Sequence, residues 1–368
     1  MTPDHYACVK NSCAAERAGD AAEALEWHQA VPMFRRGRNR HLMEQLVALG
    51  DALPEWVWAR WIAYQAMRCE DGETGERVST VRAAVTEAVH CDLLDACHTD
   101  GGDPVQVLAR VMGESWAFQQ FVVHEGGALV SFIDEFANGR LAEHAELARS
   151  WSGARMGRYR IGASLPGARL QVREPTGEWI EVLDLGARSC AGPQGWVLGR
   201  LVPSGVDGLL MFDAPPLGVA RSLAKQIADH DDAWLSRLAH AVTRGRVGSD
   251  QLVREDFELT TDVQELDLLR FGTTPGDLPR IMRQLRQGRD EISRAAFRIL
   301  QRALDGHLAH EDHAYVAAAA LNAHGFDDVR RKLARPGQGD TWAAWAGRTV
   351  EPARGRLLSL AEVGRAAA

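Results

Sequence analysis

Apolar residues recur with a helical period at both ends of this chain and with a period of two in its middle, from about Arg155 to Val219. The middle predicts strands over Gly157–Ser164, Arg169–Arg173, Glu178–Leu185, Trp196–Val202 and Leu209–Phe212. Pro166-Gly167, Pro175-Thr176-Gly177, Ala191–Gly195 and Pro203–Gly208 separate them. Proline presets φ and glycine supplies the positive φ that tight turns require. Short strands with tight turns suit a small closed or half-closed barrel of the SH3 or oligonucleotide-binding kind. The fold class expected is therefore α+β, mostly α, with two helical regions flanking a small central β-barrel. The corresponding regions are 1–150, 151–220 and 221–368.

Before the strands, Ala14–Ala18, Gly19-Asp20 and Ala21–Val31 read as helix, turn, helix. Gly19 fits a left-handed C-cap, and Asp20 caps the following helix. The unit at 6–31 resembles a tetratricopeptide-type helical hairpin, without a second clear copy at the expected period. Arg35–His41 reads as a basic loop, open to solvent or to a phosphate-bearing partner. In Pro54–Tyr64 the spacing puts Trp58, Trp61 and Ile62 on one helical face and Trp56, Arg60 and Tyr64 on a neighbouring one. Aromatics at this spacing form core, or alternatively a groove for a partner peptide with Trp56, Arg60 and Tyr64 as its binding residues.

After the strands, Asp277-Leu278-Pro279 opens a helix expected to reach Leu304, with the proline where its missing N–H is harmless. Ile281, Leu285, Ile292, Ala296, Ile299 and Ala303 form its apolar stripe. Arg283, Arg286, Arg294, Arg298 and Arg302 lie mostly off that stripe. They make either a solvated face or a contact for an RNA backbone or acidic partner. His307, His310 and His313 follow at steps of three, which fan by about 60° each on a helix. Two of the rings could share a metal, whereas a third would strain.

Composition narrows the function classes. The net charge is -8 and the pI about 5.9, which opposes wholesale coating of nucleic acid or anionic membrane and leaves room for a local basic face. Length predicts two or three domains with a core that needs no staples. No apolar run near Met1–Lys10 resembles a signal peptide, and none reaches a membrane-spanning length. A cytoplasmic location with reduced cysteines is the resulting expectation. His90, Cys91, Cys97 and His98 spread over about 10 Å of helix, too far for one zinc ion. Neither a phosphate-binding GxxxxGKS/T loop, a GxSxG elbow nor a GxGxxG turn is present. His124-Glu125 lacks the second histidine of a metalloprotease helix.

Phe121–Gly127, the helix ending at Trp151, Tyr159-Arg160-Ile161, Thr176-Gly177-Glu178 and Gly199–Pro203 follow one another in an order that resembles the helix-plus-β segment of bacterial SEC-C-motif proteins. The resemblance spans roughly 100 residues and implies a shared scaffold; the link to protein-export and ribosome-associated contexts belongs to the zinc-binding tail of those proteins. Cysteine is absent after Cys190, so the zinc tail of those proteins has no counterpart here. Trp179, Trp196, Tyr159 and Arg200 are candidates for a surface that stacks and ion-pairs with a nucleic acid strand, or for core.

These readings predict a non-catalytic interaction protein with no cofactor and a protein partner, its oligomeric state left open. The alternatives are an RNA- or ribosome-associated factor using the arginine helix, and a metal-dependent enzyme using His307, His310 and His313.

Overall fold

The computed structural model describes residues 1–368 except 35–37, 176, 193, 228–232, 254–258, 274–288, 323–325 and 367–368. The protein is mostly helical, 63%, and carries one seven-stranded sheet. The strands are β1 (Gly157–Leu165), β2 (Arg169–Arg173), β3 (Trp179–Leu183), β4 (Trp196–Gly199), β5 (Leu201–Pro203), β6 (Leu210–Phe212) and β7 (Leu217–Val219). Their order is β5-β6-β3-β2-β1-β4-β7. All pairs are antiparallel except β3 with β6.

The expected barrel is corrected here to an open sheet. Closure needs a ladder between the first and last strands, and the edges β5 and β7 each pair with one neighbour, β6 and β4. The span read as one strand, Trp196–Val202, breaks at Arg200 into β4 and β5. Those two segments lie near opposite edges, so the sheet must curl strongly to connect them. The chain also pairs once more after the last expected strand, Leu209–Phe212, as β7 on β4.

Curling divides the apolar residues between two faces. On the inner face Tyr159, Leu170, Val172, Val182, Val197 and Phe212 form their own core. On the outer face Leu183, Leu198, Val202 and Met211 join a large cluster with the helices before and after the sheet. Helix Glu55–Arg68 is buried on nearly every side, from Trp56 to Met67, as a helix apolar all round must be. A separate cluster unites Ala296, Ile299, Leu300 and Ala303 with Trp342, Trp345 and Leu357 near the C-terminus.

Local chemistry sets the helix ends. Helix Pro3–Ala18 stops at Gly19, whose φ of 76° is left-handed. A Cβ there would also lie 2.7 Å from the Leu141 backbone nitrogen, so glycine is required twice over. Asp20 then accepts a hydrogen bond from the Glu23 N–H at 2.9 Å and opens helix Ala21–Gln29. Asp103 does the same for helix Pro104–Glu114 through the Val105 N–H.

Candidate functional site

Trp56, Arg60 and Tyr64 do not form a surface groove. Their exposures are 0%, 1% and 8%, so the peptide-anchor expectation is corrected to a role inside the fold. Arg60 Nε donates to the Asp213 carbonyl at 2.9 Å, and its Nη2 donates to the Phe212 carbonyl and to Asp262 Oδ1 at 2.9 and 2.8 Å. One guanidinium thus ties the buried helix to the end of β6 and to the segment after it. A buried arginine needs its charge matched; Asp262 supplies that here, while Nη1 has no hydrogen-bond partner among the described residues.

A second buried network lies beside it. Arg200 Nη2 reaches both oxygens of Glu125 at 2.6 and 2.7 Å, while its Nε and Nη1 donate to Gln120 and the Ala154 carbonyl. Trp234 Nε1 donates to the same Glu125 at 2.8 Å. Asp213 Oδ2 meets His124 Nε2 and Gln120 Nε2, each at 2.9 Å. Burial alone would push the Asp213 carboxyl up; the His124 hydrogen bond and charge, Arg200 and Gln120 together hold it below the usual carboxylate range. Being depressed, this carboxyl supports folding above its ordinary pKa and loses that contribution as pH falls through the lowered one. Residues 120, 124, 125, 200 and 213 therefore fasten helix to sheet. Of the two readings open for Arg200 and Tyr159, a contact surface or core, their exposures of 1% and 5% are those of core.

The histidine triplet is separated by depth. His307 and His310 are exposed, whereas His313 is buried with Nε2 3.4 Å from Asp184 Oδ2. The alternative of a metal on these three gains no support from their placement: among the described residues, no group of three His, Cys, Asp or Glu side chains is placed to hold a metal. His90 is likewise buried, its Nε2 2.7 Å from Ser115 Oγ. Burial pushes its imidazole down to about 4, against Asp92 and with help from Arg110. Ser115 Oγ meanwhile accepts the Phe118 N–H as the cap of helix Trp116–Val123, so the pair ends one helix and begins another.

Of the arginine face, Arg283 and Arg286 lie outside the described residues, as do 35–37 of the expected basic loop, whose remaining residues are corrected to the start of helix Arg38–Leu49. Within helix Arg289–Leu304, Arg294 and Arg298 are exposed. Arg294 is 3.0 Å from Glu291. Arg302 serves an internal contact, donating to the Phe271 carbonyl at 2.9 Å with its guanidinium over the Phe271 ring. Two cavities, each of about 350 Å³, open beside helix Glu55–Arg68. In the first, Arg17 is 2.6 Å from Asp71 and Arg68 is 3.6 Å from Glu16, so its guanidiniums are already matched. Tyr64 lines the second with Met67, Met112 and Gln119.

The sheet presents a different arrangement. Arg160 on β1 stands directly opposite Trp196 on β4 and Arg173 on β2, and Arg173 stands opposite Trp179 on β3. Residues paired across strands share a face, so Trp179, Arg173, Arg160 and Trp196 form one row over four adjacent strands. At about 4.8 Å per strand the two tryptophans are about 14 Å apart at the backbone. Arg160 is exposed and Trp179 is 41% exposed, while Arg173 and Trp196 are half-buried. Among the described residues neither Arg160 nor Arg173 carries an ion pair. Two like charges directly opposed cost a few tenths of a kcal/mol or more.

Trp179 has a prepared seat. The Arg173 guanidinium carbon is 4.8 Å from its ring centroid. A Cβ added at Gly162 would lie 2.5 Å from Trp179 Cζ3 and 3.1 Å from Gln171 Cβ. The indole of β3 therefore reaches across β2 to the bare backbone of β1, where the register shifts between Ile161 and Ser164. Beside the row, Arg169 and Glu181 pair at 2.9 Å, whereas Ile180 and Leu210, paired with Val172 and Val182, are 37% and 36% exposed on the other face. Trp179 and Trp196 had a sequence signal in their aromatic character. Arg160, Arg173 and Gly162 gained their meaning only from the register. No family model, curated protein or solved structure matches this chain.

Proposed function

We propose that this chain is a non-catalytic binding protein whose contact surface for another macromolecule is the outer row Trp179–Arg173–Arg160–Trp196. The observation that carries the reading is the pair of opposed, ion-pair-free guanidiniums held between two indoles on a rigid sheet. Side chains fixed by neighbouring strands lose little freedom on binding, which favours a preorganised surface. Tryptophan and arginine are also the residues that most often dominate contact energetics.

A second contact on helix Arg289–Leu304 is favoured by the exposure of Arg294 and Arg298. It corresponds to the ribosome- or RNA-associated alternative. The two surfaces can be separated by affinity capture from the native host. Bait would be wild type, an Arg160→Glu, Arg173→Glu, Trp179→Ala variant, or an Arg294→Glu, Arg298→Glu variant. The reading predicts that the first variant loses the specific partner and the second keeps it. Loss only in the second would move the contact to the helix. Identical capture by all three would refute both surfaces.

A further inference from the structure

We infer that the row Trp179–Arg173–Arg160–Trp196 receives a single-stranded nucleic acid, with bases stacking on the indoles and phosphates meeting the two arginines. This assignment rests on reading the outer sheet face as a binding surface. The row is interior to the sheet, crossing β3, β2, β1 and β4, with β5 and β7 at the edges. A peptide adding as an extra strand uses an edge, so this position calls for a ligand recognised through side chains. Planar groups alternate here with positive charge, and a single strand offers unpaired base faces beside phosphates. A duplex keeps its bases stacked on one another, which leaves the indoles without a partner.

Charge supports the same occupant. Arg160 and Arg173 oppose each other with no ion pair to either among the described residues, and a phosphate placed there would relieve the repulsion. The nearby Glu181 is held by Arg169 at 2.9 Å. The chain's net charge of -8 acts weakly at this site, because the Debye length is about 8 Å at 0.15 M salt. Gly162 keeps Trp179 low across the sheet; a side chain there would lift the indole out of the row.

Fluorescence anisotropy with labelled poly-pyrimidine single strands and a matched duplex, from about 0.05 to 0.2 M salt, tests the assignment. Two phosphate contacts give a log–log salt slope of about -1.4 for a single strand. The Arg160→Glu, Arg173→Glu variant should bind at least about tenfold more weakly and lose that slope. Trp179→Ala should weaken binding about tenfold while the slope stays. Gly162→Val should resemble Trp179→Ala, with far-ultraviolet dichroism and Tm reporting that each variant is folded. Single strands that bind no better than duplex, or folded variants that bind as wild type, would overturn the inference. If no oligonucleotide binds but partner capture still depends on this row, the binding surface stands and its occupant is a protein.

Discussion

At the scale of single residues, the polar groups of the core set the protein's response to acid. His90 is fully buried and stays neutral down to about pH 4, whereas an unfolded histidine protonates near 6.5. The unfolded chain therefore binds the extra proton first, and stability falls as pH drops through that window. The gap from 6.5 to about 4, at 1.36 kcal/mol per pH step, amounts to about 3 kcal/mol. Urea unfolding of wild type and His90→Gln between pH 7.5 and 4.5 checks this. Wild type should lose stability relative to the variant by about that amount, and parallel curves would contradict it. The aromatic and capping residues were the most legible in the sequence: Gly19 and Asp20 took the roles that local chemistry assigns. Arg60 and Arg200 were not legible as core. Nothing in a sequence window shows that a guanidinium will be matched by carbonyls and carboxylates up to 202 positions away.

At the scale of elements, the helix–sheet junction depends on charge pairs that have left water. Arg60 and Asp262 are 1% and 2% exposed and 2.8 Å apart. Removing the guanidinium leaves a buried carboxylate, a loss of about 3–5 kcal/mol. Arg60→Met should show that loss, and the Arg60→Met, Asp262→Leu double variant should recover part of it. A double-mutant cycle by chemical denaturation gives the coupling; a coupling near zero would mean that the pair does not hold the junction. Strand positions were readable because alternation is local, and β2 occurs over the expected Arg169–Arg173. Closure was not readable, since it depends on which strands become neighbours. Trp196–Val202 looked like one strand because the apolar pattern continues through Arg200, where the backbone changes partner from β1 to β6.

At the scale of the whole molecule, helices cover one part of the sheet's outer face, where the half-buried Trp196 packs against their core, and leave Arg160 and Trp179 exposed. Leu183, Leu198, Val202 and Met211 lie in the covered part. No helix among the described residues is long and apolar enough to cross a membrane. The sequence showed tryptophans and scattered arginines, but their alignment came from the pairing of Arg160 with Arg173 and Trp196, which is a tertiary fact. The most direct test of this surface is hydroxyl-radical footprinting of the protein alone and bound to its captured partner or to a single-stranded oligonucleotide. Trp179, at 41% exposure, is an accessible reporter within the row, and Val105 and Leu358, at 66% and 37%, report on surfaces elsewhere. Binding through the sheet predicts a several-fold drop in oxidation at Trp179, with Val105 and Leu358 unchanged. Unchanged oxidation of Trp179 in a saturated complex would contradict it.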